Sequence, residues 1–321
     1  MRRAVAGLLA LAVSASAAAE VTLESARADF EAMRTVDAQR QFSQLLAQHP
    51  DDPGLLYYLG RLQLRQYHRR DAVELLRRAV ALRPTNTRYQ LDLCEAIGAY
   101  IDEQPFYKKL GLAQEIHQHL LVALANDPRS VAVHDGLMKF YIEAPAVIGG
   151  GVDKAQQEAE QIAALDASRG HVAFAVIATH QRRYADAERE LRAAVQAAPD
   201  DPLPRYALGQ AQVAQQHFDA ALSTYSEILK RFPRETAAYY QIAAVAMTSG
   251  HQLGRGLDAA KTYVARGPLI DDDPSPLQAY RLLGRLLEKC DEPAKARDAY
   301  RTALQLDPTD DAAAQALQKL D

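Results

Sequence analysis

Prolines that follow apolar helical segments recur along this chain at Pro50, Pro84, Pro128, Pro199, Pro233, Pro274 and Pro308. The steps Pro50–Pro84, Pro199–Pro233 and Pro274–Pro308 are each 34 residues, and Ala167 in "LDA" fills the slot between Pro128 and Pro199. A fixed period of this size specifies stacked repeats. Each repeat is too small to bury its own apolar face, so several must pile up to make one continuous core. Proline ends a helix because it lacks an N–H and clashes with the preceding turn. The spacing therefore predicts a chain that is helical throughout and turns at regular intervals.

The residues inside the period narrow the choice. In the stretch 53–86, Leu56, Leu59, Gly60, Ala72, Leu76, Ala79 and Pro84 occupy positions 4, 7, 8, 20, 24, 27 and 32. Leu208, Gly209, Ala221, Tyr225, Ile228 and Pro233 match in the same slots, as do Tyr280, Leu283, Gly284, Ala296, Tyr300, Ala303 and Pro308. Small residues at 8, 20 and 27 let two helices approach, and large apolar residues at 4, 7 and 24 fill the space that remains. This pattern resembles the tetratricopeptide repeat, a pair of antiparallel helices A and B. The resemblance covers nearly all of residues 20–321 and points to the exported bacterial type.

The expected architecture is all-α: a right-handed α-solenoid of about eight such hairpins with a C-terminal capping helix. The units run 20–52, 53–86, 87–130, 131–167, 168–201, 202–235, 236–276 and 277–310, with the capping helix at 311–321. The first is degenerate in helix A but keeps Ala38 and Phe42 where helix B needs them. Units 3, 4 and 7 exceed the 34-residue period. Their extra length is expected between the two helices, at Asp102–Gly111, Glu143–Ala155 and Thr248–Gly256, on one side of the stack.

The second of these, "EAPAVIGGGVDKA", looks most like chemistry. A phosphate-binding loop of the G-x-x-x-x-G-K-[ST] type follows a buried strand and ends in Lys-Ser or Lys-Thr. Here the glycines follow a helical pattern and Lys154 precedes Ala155, so neither requirement is met. A dinucleotide fingerprint fails too, since Ala155 stands where the last glycine would be. The run is expected to be architectural, with Gly150 at positive φ and Asp153 in the first turn of helix B.

Residues 1–19 read as a secretory leader: Arg2 and Arg3, a short apolar run from Ala4 to Val13, then "SASAAA" with cleavage before Glu20. The apolar run falls well short of the roughly 20 residues that span a bilayer, so no membrane insertion is expected after cleavage. The formal net charge is −4, and loss of Arg2 and Arg3 makes the remainder more negative. That composition excludes a nucleic-acid binder, which calls for a concentrated basic surface. Cys94 and Cys290 are expected as small buried residues, unpaired in an elongated array. Nine histidines offer no H-E-x-x-H, and His117 and His119 point to opposite sides of a helix. The run Asp271–Asp273 reads as a solvated connection. No cofactor, metal site or catalytic residue is implied.

The resemblance implies that helix A lines the concave face, with positions 2, 5, 9 and 12 open to the groove. Those slots hold Tyr57 and Arg61 in unit 2, Tyr206 and Gln210 in unit 6, Tyr240 in unit 7, and Arg281 and Arg285 in unit 8. Related cytosolic co-chaperones hold a terminal carboxylate with lysines and asparagines there, a combination absent here. Tyrosine and arginine are enriched at binding hot spots. The expected function is a non-enzymatic scaffold or adaptor for a protein or peptide, such as an assembly factor. The alternatives are a groove binder of a small molecule or glycan in surface-polymer export, and an enzyme or its accessory domain.

Overall fold

The computed structural model describes residues 21–270 and 273–320; residues 1–20, on which the expected leader falls, and Asp271, Asp272 and Asp321 lie outside the described residues. Among the described residues there are seventeen α-helices and no strand. They pair as α1 (Leu23–Glu31) with α2 (Thr35–Gln48), α3 (Pro53–Arg65) with α4 (Arg69–Leu82), and α5 (Thr87–Ile101) with α6 (Phe106–Asn126). Then come α7 (Val131–Glu143) with α8 (Val152–Leu165), α9 (Ala167–His180) with α10 (Tyr184–Ala197), and α11 (Leu203–Ala214) with α12 (Phe218–Arg231). The last pairs are α13 (Ala237–Ser249) with α14 (Leu253–Arg266) and α15 (Pro276–Lys289) with α16 (Pro293–Leu306), followed by α17 (Asp311–Leu320). Each helix packs on the one before and the one after it, so the chain is a helical repeat solenoid of eight hairpins with a helix covering the last.

The two kinds of helix start differently, and local chemistry explains why. Six of the eight A helices, all but α11 and α13, begin after an extended residue whose side chain caps the free N–H groups: Thr22, Asp52, Asn86, Ser130, Asp166 and Ser275. B helices have no such cap. In the units without an insertion the A–B turn is instead closed by one residue in the left-handed region: Met33, Tyr67, Arg182, Gln216 and Asp291 have φ between 57° and 63°. All five stand two residues before the first residue of helix B.

Packing inside the hairpins follows the small–large logic of the sequence. A Cβ added to Gly60 would lie 2.7 Å from the Leu76 side chain, one on Gly209 2.5 Å from Tyr225, and one on Gly284 2.6 Å from Tyr300. In these three units position 8 must therefore be glycine, because the side chain at position 24 already fills the space. Leu56, Leu76, Tyr225 and Ile228 are fully buried, and the apolar clusters run from unit to unit.

Position 4 departs from expectation in four units, and in one of them, unit 5, the polar residue His171 is only partly buried. In the other three, Gln90, His134 and Arg205 stand there, polar yet buried. Each reaches back six residues to the proline that ended the previous B helix. Gln90 Nε2 donates to the Pro84 carbonyl at 2.7 Å, His134 Nε2 lies 3.1 Å from the Pro128 carbonyl, and Arg205 Nη1 donates to the Pro199 carbonyl at 2.9 Å. A buried polar side chain needs a partner, and the proline carbonyl supplies one.

The insertions also differ from expectation. In unit 3 the extra residues 106–111 are helical, the first turns of the long α6, leaving only 102–105 as turn. In unit 7 the A–B turn at 250–252 is short, and the added length falls after α14, at 267–275. The three insertions therefore do not share one side of the stack. In unit 4 the glycine run is the expected long turn, with a short 3-10 helix at Ala146–Ile148. There the residue at positive φ is Gly149 (φ 99°), not Gly150. Gly150 is constrained by space: a Cβ would fall 1.7 Å from the Ala144 carbonyl oxygen. Cys94 is buried and its thiol is pushed up to about 12 by burial, whereas Cys290 is only half-buried; both are unpaired.

Candidate binding groove

The A helices of neighbouring units touch one another as well as their own B helices, as in α3 with α5, α5 with α7, α7 with α9, α9 with α11 and α13 with α15. B helices meet chiefly the A helices before and after them. Elements crowd on the inside of a curve and spread on its outside, so the A helices line the concave face.

Tyr57 and Arg61 occupy positions 5 and 9 of α3, but they do not stand open on that face, and this corrects the sequence-based expectation. Tyr57 is 4% exposed and stacks on Tyr89 at 4.6 Å. Its O–H donates to Asp92 Oδ2 at 2.5 Å, and it accepts from Arg88 Nε at 2.7 Å. Arg61 Nη1 lies 3.2 Å from Asp92 Oδ2 and donates to Glu95 Oε2 at 3.1 Å. Burial, then the Asp92 carboxylate, pushes the Tyr57 phenol well above its usual range. The acids of α5 draw both side chains into a clasp between units 2 and 3.

The other five candidates fall on three consecutive A helices. Tyr206 and Gln210 come from α11, Tyr240 from α13, and Arg281 and Arg285 from α15. Gln210 and Arg285 are exposed; Tyr206, Tyr240 and Arg281 are half-buried. Tyr206 lies with its O–H 3.4 Å from Glu235 Oε2, and desolvation raises both groups above their ordinary values. Tyr240 meets Tyr263 edge to face at 5.6 Å. Its phenol is also raised, first by burial and then by Tyr67, with Arg281 and Arg285 opposing. Arg281 Nε lies 3.5 Å from Asp310 Oδ2. Among the described residues Arg285 has no carboxylate within ion-pair distance. This end of the groove combines half-buried phenols with guanidinium groups at its edge, a surface suited to aromatic and acidic groups of a partner.

One contact escaped the sequence reading. Tyr67, on the A–B turn of unit 2, packs against the cluster of units 6 to 8. At the other edge, Phe106 and Tyr107 on the projecting start of α6 are 90% and 77% exposed, with Val147 of the glycine loop 82% exposed. Inside that loop Lys154 Nζ donates to the Gly149 carbonyl at 2.9 Å, and His117 stacks on Phe140 at 4.4 Å. The lysine ties the loop shut. Among the described residues no group of three or more potential ligands could hold a metal ion, and no helix is long and apolar enough to cross a membrane.

Comparison with known families agrees with this fold. Tetratricopeptide repeat profiles match residues 29–97 and 178–246, and a further one matches 277–310, together more than half of the chain. The chain belongs to the tetratricopeptide repeat family. A PEX5-related protein of Mus musculus is 27% identical over 121 residues, which is 34% of this chain and 21% of the relative. The Homo sapiens PEX5-related protein is 26% identical over 121 residues, 34% of this chain and 19% of the relative. The match thus spans about a fifth of these relatives' length. Among solved structures, a thermophilic TPR protein of Thermus thermophilus is 25% identical, with 60% of this chain and 97% of that one covered at a TM-score of 0.49. A tetratricopeptide repeat protein of Parabacteroides merdae is 15% identical, with 92% and 96% covered at a TM-score of 0.42.

Proposed function

We propose that this protein is an exported, non-enzymatic scaffold or adaptor that binds a protein or peptide partner along the groove of units 6 to 8, acting as an assembly factor. The observation that carries this reading is the set Tyr206, Gln210, Tyr240, Arg281 and Arg285 on consecutive A helices. Tyrosine offers a large apolar ring with a polar tip and few rotors to immobilise, and arginine offers a fork of donors. The net charge of −4 favours a protein partner over nucleic acid. Export is supported by Arg2 and Arg3, the apolar run and the "SASAAA" stretch.

The test is crosslinked capture from the native host, with wild type and an Arg281→Glu/Arg285→Glu variant compared, and N-terminal sequencing of the recovered protein. A polypeptide partner held by the wild type and lost by the variant supports the reading. Equal capture by both contradicts a groove role, and an intact Met1 contradicts export.

A further inference from the structure

Tyr67 and Ser275 are 208 residues apart, yet Tyr67 Oη and Ser275 Oγ share a hydrogen bond of 2.8 Å. Tyr67 is the left-handed residue of the turn between α3 and α4. Arg182, Gln216 and Asp291 occupy the same place in their own units and are exposed. Tyr67 alone of these reaches across the superhelix, and its ring packs on the cluster that includes Tyr240 and Tyr280. Next to it, His68 is near enough to Asp307 to reinforce the hydrogen bonds from Thr309 that hold that carboxyl low.

The receiving side is built independently of the visitor. Ser275 caps α15 in a reciprocal capping box with Gln278, and the Tyr263 O–H donates to the Pro274 carbonyl beside it. The chemistry of the visitor is only half matched. The phenol finds a hydroxyl and aromatic neighbours, but its chain neighbours Arg65, His68, Arg69 and Arg70 are basic, while the groove presents Arg281 and the exposed Arg285, guanidinium groups that the Tyr67 turn brings no carboxylate to meet. On their own side, Arg69 pairs with Glu103, Arg70 with Glu74, and Arg65 donates to the Phe30 carbonyl. A ligand with the same ring and the opposite charge would fit better.

We infer that the Tyr67 turn is an internal plug in the groove of units 7 and 8, and that it holds the place of an extended partner peptide whose tyrosine or phenylalanine is flanked by carboxylates. The inference rests on the groove reading above and specifies the partner. A plug that is mostly closed lowers apparent affinity by the fraction of molecules left open, and removing it restores the intrinsic value.

The experiment uses the full chain and a short labelled peptide with tyrosine flanked on both sides by glutamates. Tyr67→Asn keeps a residue that tolerates the left-handed turn. Fluorescence anisotropy should show this variant binding the peptide about tenfold more tightly than wild type. Arg281→Glu/Arg285→Glu added to it should abolish binding, and small-angle scattering should show a larger radius of gyration for Tyr67→Asn than for wild type. An unchanged radius with unchanged peptide affinity would overturn the plug. If a native partner were still captured through Arg281 and Arg285, the groove reading would stand without it. No peptide binding by Tyr67→Asn would overturn the stated partner chemistry. A lower melting temperature without tighter binding would make Tyr67 a structural contact only and overturn the proposal.

Discussion

Gly209 in α11 faces Tyr225 in α12 so closely that a Cβ on the glycine would sit 2.5 Å from the phenol ring. Tyr225 is fully buried and its ring cannot retreat. Gly209→Ala should therefore destabilise the protein by about 1–3 kcal/mol through overpacking. Gly98, inside α5, has no atom within 4 Å of an added Cβ. Gly98→Ala should instead stabilise by roughly 0.5–1 kcal/mol, because alanine loses less backbone freedom in a helix. Urea unfolding of both variants checks the pair; equal effects would contradict the packing account.

This pairing shows what could be read from sequence. Gly60, Gly209 and Gly284 recur with Leu76, Tyr225 and Tyr300 sixteen residues on, a local pattern whose cause is steric. Long-range and compensating features were not legible. Nothing in the string "RQYHRR" indicates that Tyr67 meets Ser275, because that contact depends on the accumulated curvature of the intervening units. The position-4 residues Gln90, His134 and Arg205 looked like breaks in an apolar pattern. Their partners are backbone carbonyls, which every residue carries and no sequence pattern marks. The glycines and serine of Thr248–Gly256 suggested a long loop, but Gly250 at φ 71° and Gln252 at φ 53° turn the chain in few residues. At the groove, the slots of Tyr57 and Arg61 read as open because the acids of α5 that bury them belong to the next unit.

The glycine run gives a graded prediction. Gly149→Ala places a side chain at φ 99°, costing about 1 kcal/mol. Gly150→Ala must push Ala144 aside, because its Cβ would lie 1.7 Å from that carbonyl oxygen. It should cost more, on the order of 3 kcal/mol, since the obstacle is backbone. Thermal melts should rank wild type above Gly149→Ala above Gly150→Ala. The reverse order of the two variants would contradict this reading.

Two histidines set an acid sensitivity. Desolvation lowers His117 and His119 below the ordinary histidine range, and Lys154 lowers His117 further. In this window the unfolded chain binds more protons than the folded one. Stability is then complete above the ordinary histidine range and declines as pH falls through that range toward the lowered folded-state values. His117→Phe keeps the stack on Phe140 without a titrating group, and combining it with His119→Gln should flatten the decline. Melting temperatures across the window check this; a wild-type value that rises toward acid would contradict it.

The left-handed turn residues carry a correctable cost. Gln216 has φ 61° and is exposed, so its side chain contributes little packing. Gln216→Gly should raise stability by a few tenths to about 1 kcal/mol, as relief of the turn outweighs the added freedom of the unfolded chain. A fall in the urea midpoint would contradict the assignment of strain.

The central claim is that the groove of units 6 to 8 is the binding surface, and Tyr206 and Tyr240 test it most directly. The measurement is titration of the captured partner against wild type and Tyr206→Ala/Tyr240→Ala, with thermal melts on the same samples. The account predicts that each hot-spot tyrosine contributes about 2 kcal/mol, so the double variant should lose well over thirtyfold in affinity while remaining folded. Wild-type affinity in a folded double variant would contradict it and move the site to the exposed edge at Phe106, Tyr107 and Val147.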